Sequence, residues 1–238
     1  MSVLDSLKVK IFADGADKAG IVEIGKHPLI KGFTTNPTLM RKAGIADYEK
    51  FSREVLELIG GRPISYEVFA DDFADMERQA RLITTWGKNV YVKVPVTNTK
   101  REKATAMVER LAKDGIKLNV TALMTLDQVR DITKALEDGP ESYISVFAGR
   151  IADTGRDPVP LMKEALEIMK ESPKSELIWA SPRELLNIFH ADSIGCHVIT
   201  VTNDILAKLK LVGKDLSDYS LETVQMFFND GKASGFKL

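Results

Sequence analysis

A lysine interrupts an apolar run in the middle of the chain. Lys93 stands at the centre of VYVKVPV, residues 90–96. A buried ammonium group is costly unless it is paired, so apolar surroundings favour the neutral amine. A neutral amine attacks carbonyl carbons and forms a Schiff base. Lys93 is therefore either a nucleophile or a structural lysine, which reaches water from an edge strand or forms a buried ion pair.

Two carboxylates, like Lys93, lie within or at the end of apolar runs. Asp14 ends the run VKIFAD, and Glu67 lies in ISYEVFA. A carboxylate near an amine pairs with it as a salt bridge, and it also relays protons through water. For Glu67 these two roles overlap. For Asp14 the alternative role is the N-cap of the helix that follows.

The segment TTNP follows another apolar run. Thr34, Thr35 and Asn36 precede Pro37. Taken alone, this pattern predicts a strand-to-helix turn, with Asn36 as N-cap and Pro37 in the first helical turn. The two hydroxyls and the amide become candidate substrate-binding groups only if this strand ends at a site.

Polar residues also interrupt the later runs. Asn119 and Thr121 lie in IKLNVTAL, and Ser145 lies in YISVFAG. Arg150 and Arg183 each follow a run, and guanidinium groups bind phosphate-like anions through a planar fork. Taken alone, these arginines are better explained as surface charges at helix starts. The other polar residues at the ends of these runs are Asp153, Ser181, Thr200 and Thr202.

The elements that must position these residues alternate along the chain. Amphipathic patterns of helical period separate short apolar runs, and this alternation predicts a parallel sheet. Eight such units in 238 residues favour a single-domain (β/α)8 TIM barrel over an open doubly wound sheet. The first turn reads ADGAD and lacks the glycine-rich phosphate loop of that rival fold. Since barrel active sites lie at the carboxyl ends of the strands, the polar residues above are expected to meet at one mouth. The runs are 9–14, 32–36, 64–70, 90–96, 116–123, 143–149, 177–181 and 197–202, and the helical patterns include 47–59, 72–86, 125–137, 183–189 and 203–211.

The tail 218–238 lies beyond the eighth unit. Its 220–229 part predicts an extra helix that carries Met226, Phe227 and Phe228. We expect these large apolar side chains to be buried, either against the barrel or against a neighbouring subunit.

Composition narrows the class of protein. The net charge of −1 gives no global field for nucleic acid or a membrane surface, and no N-terminal apolar stretch predicts a signal or an anchor. A single cysteine, Cys196, forms no internal disulfide, which fits a reduced cytoplasmic setting. The histidines are far apart, and the pair Cys196–His197 is better explained by strand packing than by a metal site.

Taken together, these segments resemble the transaldolase family, in particular its short-chain branch, which includes fructose-6-phosphate aldolases. Six segments occur in the family's order and spacing, and the resemblance runs over most of the chain. They are GFTTNPTL (32–39), ISYEV (64–68), YVKVPVT (91–97), LNVTAL (118–123), YISVFAGRIAD (143–153) and WASPRE (179–184).

The resemblance implies a role for each matched residue. Lys93 corresponds to the Schiff-base lysine and Asp14 to the carboxylate that moves the proton of the substrate C4 hydroxyl. Glu67 and Thr121 correspond to the pair that orients a catalytic water. The groups implied to hold or shape the dihydroxyacetone site are Thr34, Thr35, Asn36, Asn119 and Ser145, and those implied to bind the phosphate end are Arg150, Ser181 and Arg183.

Two positions separate the branches of this family. Its aldolases tend to have Gln in place of Glu67 and Tyr in place of Phe147, and the Tyr hydroxyl is associated with water reprotonating the enamine. Glu67 and Phe147 therefore resemble the transferase, since an apolar edge keeps water from the enamine. Gly15, where many relatives have Thr or Ser, and SVFAGR, where SPFVGR is frequent, depart from the pattern without removing a catalytic group.

The resemblance implies a transferase without metal or cofactor in the pentose phosphate pathway. It moves a dihydroxyacetone unit from sedoheptulose 7-phosphate or fructose 6-phosphate to glyceraldehyde 3-phosphate or erythrose 4-phosphate. The branch also implies a homo-oligomer, a pentamer or decamer. Two alternatives stay open: an aldolase that releases the ketone, and a transaldolase for another anionic ketose, such as a sulfonated sugar. A non-catalytic sugar-phosphate sensor is disfavoured, because binding alone requires no nucleophilic amine.

Overall fold

The computed structural model describes residues 3–236. Eight parallel strands, each hydrogen-bonded to the next, close into a barrel in the order of the sequence. The predicted (β/α)8 barrel is thereby confirmed. The strands are β1 (Lys10–Asp14), β2 (Ile30–Thr34), β3 (Ile64–Glu67), β4 (Val90–Pro95), β5 (Leu118–Leu123), β6 (Ser142–Val146), β7 (Ser175–Trp179) and β8 (Val198–Thr202).

Helices cover the outside of the barrel, and at least one helix follows each of the eight strands. The helical patterns predicted at 47–59 and 125–137 correspond to α3 (Tyr48–Leu58) and α6 (Leu126–Leu136), which are one residue shorter at each end. The helices are α1 (Lys18–Gly25), α2 (Pro37–Lys42), α3 (Tyr48–Leu58), α4 (Phe73–Ile83), α5 (Thr105–Lys113), α6 (Leu126–Leu136), α7 (Ala148–Ala152), α8 (Pro158–Ile168), α9 (Leu186–Ser193), α10 (Asn203–Leu206) and α11 (Leu216–Ser234).

Side-chain alternation along β4 explains how a lysine enters the barrel. Val92 and Val94 point outward into the core between the sheet and the helices. Tyr91 points inward, where it belongs to a second apolar cluster inside the barrel. Lys93 has the same inward orientation one pleat further on. The inner cluster is formed by Phe12, Tyr91, Tyr143, Ile178, Ala180 and Val198.

Local capping signals set several helix starts. Thr125 forms a capping box with Gln128 at the start of α6, as the predicted Thr cap requires. The structure corrects the alternative role considered for Asp14, because Asp17 is the N-cap of α1. The Asp17 carboxylate accepts a hydrogen bond from the Gly20 amide at 2.7 Å. The Asp14 carboxylate therefore caps no helix and lines the cavity at the mouth of the barrel.

The C-terminal helix is longer than its predicted core of 220–229. Within the described chain, no residue of α11 is buried, and Phe227 and Phe228 are 65% and 69% exposed. The barrel of the same chain does not cover these side chains, so packing against a second subunit stays a prediction. Among residues 3–236, no helix combines the length and apolarity that crossing a membrane would need.

Candidate active site

A cavity of about 600 Å³ opens at the carboxyl ends of the strands. A larger groove of about 990 Å³ lies beside the amino ends of β7 and β8, where Ser175 and His197 line it. The mouth cavity is the candidate site, since barrel chemistry occurs at the carboxyl end and the charged residues predicted from the sequence line it. Its lining includes Asp14, Thr34, Asn36, Glu67, Lys93, Thr121, Ser145, Phe147, Arg150, Ser181, Arg183 and Thr200.

Lys93 and Glu67 face each other on adjacent strands. They are register partners in the parallel pair of β3 and β4, and the Lys93 side chain is buried. Lys93 Nζ lies 3.2 Å from Glu67 Oε2. The same amine donates a hydrogen bond to the Thr35 carbonyl oxygen at 3.1 Å. Lys93 thus forms the ion pair expected of a structural lysine, and it also lines the cavity, as a nucleophile must.

Asp14 is held by two donors. Thr34 Oγ1 donates to its Oδ1 at 2.7 Å, and Asn36 Nδ2 donates to its Oδ2 at 3.2 Å. Burial raises the pKa of Asp14, and the positive charge of Lys93 and the two donors only partly offset this effect. A raised pKa makes this carboxylate a stronger base.

Asn36 performs both of the roles that its sequence context allowed. Its Oδ1 accepts a hydrogen bond from the Leu39 amide at 3.0 Å, so it is the N-cap of α2, and Pro37 is the first helical residue. Its Nδ2 meanwhile donates to Asp14. The cap therefore fixes the direction of the amide group that binds the carboxylate.

A chain of hydrogen bonds crosses the barrel below Lys93. Ser145 Oγ donates to Asn119 Oδ1 at 2.7 Å, and Asn119 Nδ2 donates to Ser65 Oγ at 2.9 Å. Asn119 is the register partner of Lys93 on β5 and is fully buried. Its side chain lies beneath the cavity, and among these three residues only Ser145 lines the cavity.

Thr121 presents a free hydroxyl. Its Oγ1 is buried and has no hydrogen-bond partner among residues 3–236. The neighbouring Ala122 has a positive φ of 67°, where the ladder between β5 and β6 shifts register. Buried hydroxyl groups are normally satisfied. The unused capacity of Thr121 therefore marks a place for a water or a substrate oxygen.

Thr35 enters the site only through its backbone. It follows the inward-facing Thr34, so pleat alternation turns its side chain away from the cavity. Its Oγ1 donates to the Ser65 carbonyl oxygen at 2.9 Å. The prediction that the Thr35 side chain shapes the cavity wall does not match this placement.

The two arginines lie on the β6–β7 side of the mouth. The Arg150 guanidinium lies 5.7 Å from the centre of the Phe147 ring. Arg183 Nε donates to Asp153 Oδ1 at 2.9 Å, and a second bond joins its Nη2 to the other carboxylate oxygen. Asp153 therefore occupies one edge of the Arg183 fork and neutralises part of the local positive charge.

A close backbone contact fixes this side of the site. The backbone of Ser181 has a positive φ of 59°. A Cβ at Gly149 would lie 1.6 Å from the Ser181 carbonyl oxygen, so only glycine fits there. The segment that carries Arg150 is thereby held against the segment that carries Ser181.

Two further residues contact the groups of the site, and only the first of them was expected there from the sequence. The Thr200 hydroxyl lies 2.5 Å from Thr34 Oγ1, and Thr200 lines the cavity. Its place at the end of the eighth apolar run predicted this position. Tyr48 binds the backbone of Glu67 from α3, outside the barrel. No sequence pattern points to it, since an aromatic residue on a helix is ordinarily part of the core.

No group of three or more metal-binding side chains occurs among residues 3–236. Cys196 is buried, with its sulfur close to the Leu177 and Val198 carbonyl oxygens. His197 Nδ1 accepts a hydrogen bond from the Leu177 amide at 2.9 Å. Both side chains therefore pack against the neighbouring strand, in agreement with the strand-packing interpretation.

Comparison with known proteins adds an independent observation. The family model described as "Transaldolase/Fructose-6-phosphate aldolase" matches residues 11–238. The chain belongs to this family. The match extends from the first strand through the C-terminal helix, so it includes every residue of the mouth cavity described above.

Relatives named as probable transaldolases match most of this chain. A protein of Thermoanaerobacter sp. (strain X514), named probable transaldolase, is 32% identical over 97% of this chain and 100% of its own length. One from Listeria monocytogenes, named probable transaldolase 2, is 34% identical over 84% of this chain and 88% of its own. Family membership indicates that this protein is an enzyme of the transaldolase type.

Solved structures support the fold alone. A Burkholderia cenocepacia protein named as a phosphonomutase matches with a TM-score of 0.57 at 11% identity, over 95% of this chain and 96% of that chain. At this identity the likeness is one of barrel architecture and carries nothing about substrate.

Proposed function

We propose that this protein is a transaldolase that moves a dihydroxyacetone unit between sugar phosphates through a Schiff base on Lys93. The observation that carries the proposal is the buried Lys93 amine, 3.2 Å from Glu67 and in the same cavity as Asp14. A nucleophile, an adjacent proton carrier and a second base are the groups that class I aldol chemistry needs.

Imine formation uses the first pair. Glu67 takes a proton from the Lys93 ammonium group, and the neutral amine attacks the C2 carbonyl carbon of the donor ketose. A water held between Glu67 and the free Thr121 hydroxyl delivers a proton to the carbinolamine oxygen. That oxygen leaves as water, and a protonated imine remains on Lys93.

Carbon–carbon cleavage uses Asp14. The carboxylate accepts the proton of the C4 hydroxyl, and the C3–C4 bond breaks. The bonding electrons move to the imine nitrogen, which gives an enamine on Lys93 and releases an aldehyde such as glyceraldehyde 3-phosphate. The raised pKa of Asp14 supports this role, because a stronger base shares the proton further in the transition state.

Transfer is the reverse of these steps with a different aldehyde. The enamine carbon attacks the acceptor carbonyl carbon, Asp14 returns its proton to the new hydroxyl, and water hydrolyses the imine. Phe147 supports transfer over release, because its apolar ring lines the cavity and keeps water from protonating the enamine. The protonated imine is the electron sink, so the proposed reaction requires neither a metal nor an organic cofactor.

Arg150 and Arg183 would bind the phosphate ends of the donor and the acceptor. Charge-assisted bonds from guanidinium groups suit a phosphate dianion. The bidentate bond to Asp153 uses part of the Arg183 fork, so the ligand would bind the remaining N–H groups. A sulfonate, which carries one negative charge, is the alternative anion that such a partly neutralised site would accept.

The test is a product analysis with matched donors and acceptors. Fructose 6-phosphate and erythrose 4-phosphate should give sedoheptulose 7-phosphate and glyceraldehyde 3-phosphate, identified by mass spectrometry. Without an acceptor, glyceraldehyde 3-phosphate should stop accumulating after one equivalent per site. Sustained release of dihydroxyacetone without an acceptor would establish the aldolase instead, and turnover of only sulfonated ketoses would replace the phosphate donor.

A further inference from the structure

The hydrogen-bond ladder between β2 and β3 lacks the bond that would follow next at its carboxyl end. It begins regularly, since the Phe33 amide donates to the Pro63 carbonyl oxygen at 2.9 Å and the Thr35 amide donates to the Ser65 carbonyl oxygen at 3.2 Å. In a parallel pair the next bond would run from the Glu67 amide to the Thr35 carbonyl oxygen.

That bond is replaced by two others. The Thr35 carbonyl oxygen accepts from Lys93 Nζ at 3.1 Å. The Glu67 amide instead donates to the Tyr48 hydroxyl at 2.8 Å. The same hydroxyl donates its proton to the Glu67 carbonyl oxygen at 3.1 Å. One tyrosine therefore satisfies both backbone groups of Glu67, and it leaves the Thr35 carbonyl oxygen to the lysine.

Tyr48 is built to hold this position. It is the first residue of α3, directly after the N-cap Asp47. Its ring packs against Phe69 and Trp86, at centroid distances of 4.7 Å and 5.3 Å. Burial raises the pKa of Tyr48, so the group remains a neutral hydroxyl that can accept one bond and donate another. The residue does not line the cavity.

We propose that Tyr48 is a positioning residue for the Lys93–Glu67 pair. By capping the Glu67 backbone it keeps the β2–β3 ladder open, and the carbonyl oxygen released at Thr35 holds the Lys93 amine beside the Glu67 carboxylate. This inference rests on the proposed function, because it assigns a role within imine formation. Tyr48 acts through the two residues and not on the substrate.

The structure provides a matched control. Tyr66 is also buried, and its hydroxyl donates to the Ser52 carbonyl oxygen at 3.0 Å. Its ring belongs to the same aromatic cluster as that of Tyr48, at a centroid distance of 6.0 Å. Tyr66→Phe therefore removes a hydroxyl and a buried hydrogen bond from the same cluster without touching the backbone of Glu67 or Thr35.

The experiment compares Tyr48→Phe with Tyr66→Phe in the full chain. Imine formation is timed by quenching mixtures of enzyme and fructose 6-phosphate with borohydride and counting the adduct on Lys93. We expect Tyr48→Phe to form the imine about tenfold more slowly, which corresponds to the loss of one well-placed hydrogen bond, and Tyr66→Phe to stay within about twofold of wild type. The KM for the donor should not change in either variant, since neither ring touches the cavity.

Crystal structures of the two variants give a readout that needs no activity. In Tyr48→Phe the Glu67 amide should turn to the Thr35 carbonyl oxygen and displace Lys93 Nζ from it, while Tyr66→Phe keeps both contacts. Equal imine rates in the two variants, or an unchanged Lys93–Thr35 contact in Tyr48→Phe, would overturn the proposal. A wild-type enzyme that forms no adduct would instead overturn the proposed function, and the structures would still decide whether Tyr48 positions the pair.

Discussion

The barrel holds two lysine–glutamate pairs in different settings. At the carboxyl end, Lys93 and Glu67 lie 3.2 Å apart, with side chains 10% and 17% exposed. At the amino end, Lys10 Nζ binds both carboxylate oxygens of Glu176 at 2.6 Å, with side chains 42% and 30% exposed. The pair with the closer contacts is the more exposed one.

This difference separates a structural pair from a reactive one. Lys10 donates hydrogen bonds to both carboxylate oxygens of Glu176. Such a solvated pair contributes about 0–1 kcal/mol to stability. Lys93 shares its amine between a carboxylate and a backbone carbonyl oxygen, at longer distances, and lies against an open cavity. An ion pair with low exposure and incomplete bonding is costly to maintain, which is typical of functional sites.

The largest effect is expected from removing one lysine of each pair. Lys93→Met should reduce turnover by on the order of 10³-fold or more, because the nucleophile itself is lost. Lys10→Met should leave turnover within about twofold and change the free energy of unfolding by no more than about 1 kcal/mol. Steady-state rates and thermal unfolding of both variants check this. Comparable losses of turnover would mean that the two pairs do not differ in function.

A smaller loss is expected at the second base of the mouth. Asp14→Asn should slow cleavage by on the order of 10²-fold while the imine still forms, because Asp14 acts after the imine. Borohydride trapping of the intact donor adduct, with release of glyceraldehyde 3-phosphate measured in parallel, separates the steps. An equal loss in both steps would argue that Asp14 only supports the structure around Lys93.

The same substitution has a pH-dependent effect on stability. Burial raises the pKa of Asp14 above its ordinary value of 3.8, so the folded state favours the protonated carboxyl. The stability that this provides is present below the ordinary pKa and is lost as the pH rises through the folded pKa. The Tm of Asp14→Asn minus the Tm of wild type should therefore become more positive as the pH increases. A Tm difference that stays constant from about pH 4 to about pH 8 would contradict the raised pKa.

Glu67→Gln keeps the shape of the reactive pair and removes its charge. Imine formation should slow by about tenfold, because the amide can still orient a water but cannot take a proton from Lys93. Glu176→Gln is the matched change in the structural pair and should leave the rate unaltered. Timed borohydride trapping measures both, and equal rates in the two variants would remove Glu67 from proton transfer.

The smallest change is expected at the apolar edge of the mouth. Phe147→Tyr should raise acceptor-free release of glyceraldehyde 3-phosphate by about threefold, because the added hydroxyl can bring water to the enamine. Coupled detection of the released aldehyde checks this. No increase in release would mean that another group keeps the enamine dry.

Sequence alone predicted the eight strands, because most of their residues are apolar and buried on both faces in the barrel. The interruption of VYVKVPV by Lys93 was visible for the same reason: a single lysine in a buried strand needs an explanation. Asn36 was also predictable, since its position before Pro37 fits an N-cap. The length of α11 was underestimated: the predicted part was 220–229, and the helix spans Leu216–Ser234.

The features that the sequence did not predict are side-chain directions and contacts between distant residues, which depend on how the strands are aligned in the folded protein. The Thr35 side chain faces outward because it alternates with the inward-facing Thr34, and the register of the sheet decides which of two neighbouring residues faces inward. The bond between Arg183 and Asp153 joins residues thirty positions apart. Tyr48 matters only because the ladder between β2 and β3 breaks beside it, which no local pattern indicates.

The central claim is that Lys93, and not another lysine, carries the substrate. The most direct measurement is borohydride reduction in the presence of fructose 6-phosphate, followed by peptide mass spectrometry of wild type and Lys93→Met. The account predicts a covalent sugar-derived adduct, three carbons long after the aldehyde has left, on the peptide that holds Lys93 and none in the variant. No adduct, or an adduct on a different lysine, would contradict it.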